Sequence, residues 1–230
     1  MIVALIFTLV VFLFLSLVLI FFGVPIVKPK VNVTNEKIRV ACVGDSITFG
    51  FGVSNWKQNN YPHKLNNLLG KNYDVANFGD CGRTAMKDSS YPYPKSKAYN
   101  SSLKYNPEIV IIMLGTNDTR ERDFKGKQIF KEQYEELIQS YKKLDSVKKI
   151  YICTPIPAYK NFHQVRPQII ENEIITAVKE LAIELNLILI DTNQAFLNNP
   201  KLLMDGVHPN KNGAQLLATT IFKAIKSNSN

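Results

Sequence analysis

Residues 38–46 read IRVACVGDS, an apolar run that changes abruptly into a turn of small and polar residues. A short apolar run rich in β-branched residues and ended by glycine predicts a buried β-strand over 38–43. Similar runs predict four more strands, and between them apolar residues recur at helical spacing. Such alternation predicts an α/β fold, with a parallel sheet covered by helices on both faces. The further predicted strands are 73–78, 108–114, 149–154 and 187–191, and the helices are 61–69, 127–144, 168–185 and 212–226.

Polar motifs begin where three of these predicted strands end. Gly44-Asp45-Ser46 follows the first strand, the segment 77–84 closes the second, and Gly115-Thr116-Asn117-Asp118 follows the third. A fourth motif, Asp205-Gly206-Val207-His208-Pro209, precedes the last helix. Ligands of parallel α/β sheets bind beyond the carboxyl ends of the strands. We therefore expect the first three motifs to lie together at one edge of the sheet.

Ser46, Asp205 and His208 supply the side chains needed for nucleophilic attack on a carbonyl group. A serine hydroxyl attacks only when a base removes its proton. A carboxylate three residues before His208 can bind one imidazole nitrogen while the other faces Ser46, which fixes the tautomer of the base. The competing interpretations are that Asp45 or Ser46 merely caps a helix, and that Asp205-Gly206 is an ordinary surface turn.

An attacked carbonyl also needs hydrogen-bond donors for the negative oxygen of its tetrahedral intermediate. The backbone N–H groups of Ser46 and Gly82 and the side-chain amide of Asn117 are the candidates. Loop flexibility is the alternative explanation for Gly82, and a simple turn is the alternative for Asn117. His63 and His163 are weaker candidates for the base.

These four motifs together resemble the conserved blocks of the SGNH hydrolases, a subset of the GDSL esterases. Their blocks supply serine, glycine, asparagine and histidine, which match Ser46, Gly82, Asn117 and His208, with Asp205 beside the histidine. The glycine of the second block follows its asparagine by five positions, which selects Gly82 rather than Gly79. The resemblance covers about residues 38–226. It implies a flavodoxin-like three-layer α/β/α sandwich with a five-stranded parallel sheet, a shallow open site, and no metal or cofactor.

The resemblance leaves the ester substrate open. The segment Gly82-Arg83-Thr84 looks like the corresponding motif of carbohydrate acetylesterases, and Arg83 could bind a carboxylate or hydroxyl groups. Tyr91 and Tyr93 lie beside this motif and suit stacking on a sugar ring, although ordinary loop packing explains them equally well. We therefore expect a serine esterase that removes short acyl groups, especially O-acetyl groups, from a carbohydrate. The alternatives are a lysophospholipase or thioesterase, an acyltransferase, and a sugar-binding module on the same scaffold.

Residues 1–27 contain no charged side chain and consist almost entirely of apolar residues. An apolar run of more than about 18 residues predicts a transmembrane helix. A cleaved signal peptide is less favoured, because no basic residue precedes the run and no Ala-x-Ala site follows it. The sequence thus predicts a membrane anchor over 1–27, a linker over 28–37 and a hydrolase domain over 38–230. We expect that domain outside the cytoplasm, although the lysines after the anchor favour the opposite orientation.

The net charge of +9 comes from scattered lysines and arginines. This pattern is typical of a solvated basic surface, or of one attracted to an anionic membrane or cell-wall polymer. No nucleic-acid-binding motif is present, so nucleic acid is not an expected partner. The three cysteines show neither a disulfide framework nor metal-ligand spacing. The oligomeric state is left open.

Overall fold

Five parallel strands form one sheet in the computed structural model, which describes residues 37–228. Each of the five predicted strands is confirmed, and no end differs from its prediction by more than one residue. The order across the sheet is the one found in flavodoxin-like doubly wound folds. The strands are β1 (Ile38–Gly44), β2 (Tyr73–Gly79), β3 (Ile109–Met113), β4 (Lys149–Cys153) and β5 (Ile188–Ile190), in the order β2-β1-β3-β4-β5.

Helices connect the strands, and the four long helices predicted from periodicity are confirmed. Four short helices, Ser46–Phe49, Trp56–Asn59, Lys97–Lys104 and Thr192–Phe196, were not predicted, because a few residues hold too little apolar periodicity to recognise. A π-helical turn, Ile170–Ile174, interrupts the helix predicted over 168–185. The helices are α1 (Ser46–Phe49), α2 (Trp56–Asn59), α3 (Tyr61–Leu69), α4 (Lys97–Lys104), α5 (Lys127–Lys142), α6 (Pro167–Ile169), α7 (Ile175–Glu184), α8 (Thr192–Phe196) and α9 (Lys211–Ser227).

The sheet carries a separate hydrophobic core on each face. Because side chains alternate along a strand, Val43 and Ile112 pack with α4, α5 and α7, whereas Val40 and Ile111 pack with α3, α8 and α9. Every residue of β3 is buried, which explains why its sequence is a continuous apolar run rather than an alternating one. The two cores make the fold a three-layer α/β/α arrangement.

The order in which the chain adds strands to the sheet reverses at β1. The second strand, β2, lies on one side of β1, and β3 lies on the other side. Ligand crevices of open α/β sheets form at such a point. The turn after β1 fits tightly here, because a Cβ atom on Gly44 would lie 2.1 Å from Thr48 Oγ1 and 2.6 Å from the Met113 carbonyl oxygen. The absence of a side chain at Gly44 lets the turn lie directly on the end of β3.

The predicted anchor over 1–27 and nearly all of the predicted linker over 28–37 lie outside the described residues. Within residues 37–228, none of the helices combines the length and the apolar character needed to cross a bilayer. The first strand, β1, begins at Ile38.

Candidate active site

Ser46 is the first residue of α1 and follows β1 after a single residue. Asp45 caps this helix, because its carboxylate accepts the backbone N–H of Ile47 at 2.9 Å. The helix ends after one turn at Gly50, which has a φ of +91°. This short capped turn holds the Ser46 hydroxyl at the carboxyl edge of the sheet. The hydroxyl oxygen lies 2.9 Å from His208 Nε2.

The loop of Asp205 and His208 folds around the Asp205 carboxylate. Oxygen Oδ1 accepts the backbone N–H groups of Val207 at 2.9 Å and His208 at 2.8 Å. Oxygen Oδ2 lies 2.7 Å from His208 Nδ1. When Nδ1–H donates to this carboxylate, Nε2 is left to accept the Ser46 hydroxyl. The three residues thus form one continuous series of hydrogen bonds across 162 positions of sequence.

His208 is buried between two aromatic rings, with centroids 4.8 Å away at Phe51 and 5.8 Å away at Phe162. Burial lowers the pKa of His208, and the neighbouring Asp205 opposes this shift without overcoming it. Burial also works against ionisation of Asp205, but the hydrogen bonds from His208 and Val207 outweigh it and lower the pKa of this carboxyl. At neutral pH the pair therefore consists of a neutral imidazole and a carboxylate, the protonation states that a general base and its orienting partner require.

Gly82 lies in the turn after β2 with a φ of +78°, a left-handed conformation that favours glycine. Within residues 37–228, the backbone N–H groups of Ser46 and Gly82 donate to no protein acceptor. Two such unpaired N–H groups remain available to a ligand oxygen.

Asn117 begins the helical turn Asn117–Thr119 after β3, and its side chain is oriented from both ends. Its amide nitrogen donates to the Arg83 carbonyl oxygen at 2.9 Å and to Asp45 Oδ2 at 3.2 Å. Its amide oxygen accepts Arg120 Nη2 at 2.6 Å. The amide N–H groups thus point toward the first two motifs, but both already have acceptors in the free protein. A ligand oxygen would have to share or replace one of these bonds.

Two buried carboxyls hold the motifs together beneath the site. Asp118 accepts the backbone N–H groups of Ala85 at 3.0 Å and Met86 at 2.9 Å, which ties the third motif to the loop after the second. Burial raises the pKa of Asp45 to about 7 and that of Asp118 to about 7. Asp118 had no predicted role, although its place directly after Asn117 is a visible signal in the sequence.

The three predicted substrate-binding residues differ in accessibility. Arg83 is half-buried and donates through Nε to Asp80 Oδ2 at 2.7 Å. Tyr91 is 52% exposed and lies 5.6 Å from the guanidinium of Arg122. Tyr93 is 0% exposed, and its hydroxyl donates to the Phe78 carbonyl oxygen at 2.7 Å. The prediction that Tyr93 stacks on a sugar ring is therefore corrected, because its ring belongs to the core.

One indentation is lined by Ser46 and by apolar residues that follow it or lie on other helices. This indentation is closed by the apolar side chains of α1, α3 and α9, and the volume open to a water-sized sphere is about 0 Å³. A separate cavity of about 240 Å³ lies along the outer side of β2. Among its lining residues are Trp56, His63 and Asn77. His63 thus borders this second cavity, and His163 forms part of the loop after β4.

Comparison with known sequences identifies relatives of this site. Residues 42–216 match the GDSL-like lipase/acylhydrolase family. An acetylxylan esterase from Xylanibacter ruminicola is 35% identical in an alignment of 209 residues that covers 83% of this chain and 44% of that protein. The chain therefore spans less than half the length of this relative.

Solved structures with the same fold include several esterases. A lipase/acylhydrolase from Enterococcus faecalis is 26% identical and has a TM-score of 0.67, with 82% of this chain and 95% of that one covered. A carbohydrate acetylesterase from Sinorhizobium meliloti is 18% identical with a TM-score of 0.68, covering 83% and 99%. The aryl esterase of M. smegmatis in its inhibitor-bound form is also 18% identical with a TM-score of 0.68, covering 82% and 98%. At identities of 18% these likenesses concern the fold.

Proposed function

This chain belongs to the GDSL-like lipase/acylhydrolase family, and we propose that it is a carboxylic ester hydrolase that removes acetyl groups from a carbohydrate. The observation that carries the reaction is the series Ser46 Oγ, His208 Nε2, His208 Nδ1 and Asp205 Oδ2, joined by contacts of 2.9 Å and 2.7 Å. These atoms have the geometry expected of a nucleophile, a general base and an orienting carboxylate.

In the proposed reaction, His208 Nε2 accepts the Ser46 proton while Ser46 Oγ bonds to the ester carbonyl carbon. The carbonyl oxygen becomes negative and accepts the N–H groups of Ser46, Gly82 and Asn117. Collapse of this intermediate breaks the bond to the sugar oxygen, which takes the proton from His208. Water then attacks the acyl-serine in the same way, with His208 as base, and releases acetate. Asp205 stabilises the imidazolium in both halves.

The tight packing beside Ser46 favours a short acyl group. The indentation that Ser46 lines with apolar residues of α1, α3 and α9 has a volume of about 0 Å³ open to a water-sized sphere, so it provides no tunnel for a long acyl chain, and Phe51 and Phe162 flank the base. An acetyl group adds only one methyl group to the carbonyl carbon and needs no tunnel, whereas a long acyl chain needs an apolar groove for its methylene groups. This argument disfavours a lysophospholipase or a thioesterase for long chains.

Two observations support a carbohydrate as the carrier of the acyl group. The relative from Xylanibacter ruminicola is named for acetylxylan. The exposed ring of Tyr91 and the half-buried Arg83 lie on the loop that continues from Gly82. Exposed aromatic rings and planar guanidinium groups suit the apolar faces and hydroxyl edges of sugars. An acetylated polysaccharide of the xylan type is therefore the substrate class that we propose.

A series of esters tests this assignment. We expect p-nitrophenyl acetate to be hydrolysed faster than the butyrate and much faster than the octanoate, and we expect acetate release from acetylated xylan. Ser46→Ala, measured beside the wild type, controls for contaminating esterases. Faster hydrolysis of the octanoate would promote the lysophospholipase alternative. Transfer of acetyl to an added sugar without net acetate release would identify an acyltransferase.

We further propose that residues 1–27 anchor the domain in a membrane, with the hydrolase outside the cytoplasm. The support is the uncharged apolar composition of this segment, which exceeds the roughly 20 residues needed to cross a bilayer. The full chain should stay in the membrane fraction after alkaline carbonate, and protease added to intact cells should digest the domain. Release by salt alone, or a mature N-terminus near residue 28, would contradict the anchor. Protection from protease would contradict the orientation.

A further inference from the structure

Arg120 is a buried cation that contacts two of the proposed oxyanion-binding segments at once. It is 9% exposed, and its Nη1 donates to the Gly82 carbonyl oxygen at 3.2 Å while its Nη2 donates to Asn117 Oδ1 at 2.6 Å. Its Nε donates to the His163 carbonyl oxygen at 3.2 Å. A guanidinium is a planar group with its donors in fixed directions. One rigid side chain therefore sets the relative position of the turns after β2 and β3.

The bond from Arg120 to Asn117 has a direct effect on the amide. A guanidinium that donates to the amide oxygen prevents the amide from turning over, so that the nitrogen must face Asp45 and Arg83. It also withdraws electron density from the amide group. The N–H groups then become stronger hydrogen-bond donors, as in any polarised series of hydrogen bonds in a low-dielectric interior.

The charge of Arg120 also offsets unfavourable electrostatics at the site. The Asp45 carboxyl accepts an Asn117 N–H, so any negative charge on it repels an oxyanion that forms beside the same amide. The positive charge of Arg120 lowers the pKa of Asp45 against the larger effect of burial and so favours the carboxylate form, but the same charge attracts an oxyanion and offsets the repulsion by that carboxylate. Burial lowers the pKa of Arg120, but a guanidinium remains protonated in proteins. The Arg120 cation therefore compensates the negative charge of the Asp45 carboxylate and of the oxyanion that forms during the reaction.

The third contact connects this arrangement to the loop after β4. His163 and Gln164 have φ values of +50° and +64°, a conformation that non-glycine residues rarely adopt. Arg120 holds the His163 carbonyl oxygen, and the neighbouring Phe162 ring lies against His208. The same side chain thus supports both the proposed oxyanion donors and one of the rings that bury the base.

We propose that Arg120 is a positioning residue of the oxyanion hole, which holds and polarises Asn117 and fixes the Gly82 turn without touching the substrate. This inference rests on the proposed oxyanion role of Gly82 and Asn117, and it does not depend on which sugar carries the acetyl group. Arg120, three residues after Asn117, would then contribute to transition-state stabilisation rather than to substrate binding.

The test compares Arg120→Gln and Arg120→Lys with Arg166→Gln as a matched control. Arg166 donates to the neighbouring Thr119 carbonyl oxygen at 2.5 Å and lies against Phe124, but it contacts neither Gly82 nor Asn117. Steady-state kinetics on p-nitrophenyl acetate give kcat and KM. Inhibition by a phenylboronic acid, which forms a tetrahedral anionic adduct with an active serine, reports on oxyanion binding directly. Thermal unfolding of each variant shows whether it is folded.

We expect Arg120→Gln to lower kcat by about 10²-fold with little change in KM, since the loss falls on the transition state. Boronate inhibition should weaken by a similar factor, and Arg120→Lys should recover part of both losses because it restores the charge. Arg166→Gln should keep kcat and boronate inhibition close to the wild type. If Arg120→Gln does not fold, the same comparison is made with Arg120→Lys, which should then lie measurably below the wild type in both measurements.

Several results would overturn the inference. An Arg120 variant that loses stability but keeps kcat and boronate inhibition would show a structural role only, and so would equal losses in the Arg166 control. A double variant with Asn117→Ala separates the two proposals. If Asn117→Ala alone is harmless, the oxyanion assignment fails; if it is damaging and Arg120→Gln adds its full effect on top, Arg120 does not act through Asn117.

Discussion

Replacing Asp205 by asparagine should nearly abolish activity although it changes a single atom of the side chain. Oδ1 of Asp205 accepts two backbone N–H groups, at 2.9 Å from Val207 and 2.8 Å from His208. In Asp205→Asn these donors require the amide oxygen at the same position. The amide NH₂ must then replace Oδ2, which now lies 2.7 Å from His208 Nδ1. In the active tautomer, His208 Nδ1 carries the proton, so the new NH₂ group and the Nδ1–H group would face each other as two donors with no acceptor between them.

The expected magnitude follows from the bonds that change. The active tautomer loses a charge-assisted hydrogen bond worth about 1.5–3 kcal/mol and leaves two buried donors unpaired, at about 1–3 kcal/mol. The inactive tautomer, with the proton on Nε2, gains a bond worth about 1 kcal/mol from the new NH₂ group. The barrier should rise by about 4–6 kcal/mol, which corresponds to a loss in kcat of roughly 10³–10⁴-fold. Folding should be affected little, because both backbone bonds remain.

The assay is hydrolysis of p-nitrophenyl acetate together with thermal unfolding, with Asp205→Ala as the comparison. The alanine variant loses the two backbone bonds as well, so its stability should fall by about 2 kcal/mol, yet its imidazole is free to adopt either tautomer. Because Gly206 follows, the new amide can deamidate back to a carboxylate, and intact mass must be checked before each assay. An asparagine variant that keeps activity within about tenfold of the wild type, far from the ~10⁴-fold loss typical of such triads, would refute the tautomer argument.

Other outcomes follow from the same geometry. Asn117→Ala should lower kcat by about 10²–10³-fold with little change in KM, because its N–H groups already have acceptors before substrate binds and act mainly in the transition state; a rise in KM alone would make it a substrate-binding residue. Ser46→Ala and His208→Ala should be similarly inactive, and their combination little worse, because such residues act as a unit; multiplicative losses in steady-state assays would contradict this. The kcat/KM profile should lose activity as pH falls through a midpoint below about 6.5, since His208 must be neutral to accept the proton and burial lowers its pKa. A midpoint above that value would show that the Asp205 carboxylate, rather than burial, controls the base.

The sequence alone identified the layers of the fold and the chemistry of the site. Continuous apolar runs such as residues 109–113 report burial on both faces of a strand, and periodic runs such as 127–142 report one buried helix face. Both patterns are local, so each can be recognised without knowing its neighbours. Ser46, Asn117 and His208 were recognisable because few residue types perform their chemistry, and because two of them follow strand ends directly.

Tertiary structure decided which of these residues meet and which are accessible. Tyr91 and Tyr93 look alike in sequence, but Pro92 leads into the helical turn Tyr93–Lys95, which places the second ring in the core and leaves the first exposed. In the sequence, Arg120 resembles any charged residue that follows a motif. Only the fold brings the Gly82 carbonyl oxygen to its Nη1. Ser46 and His208 meet across 162 positions because helices pack both cores and return the last loop to the carboxyl edge of the sheet. Such contacts depend on packing between distant segments, which local periodicity and residue type do not encode.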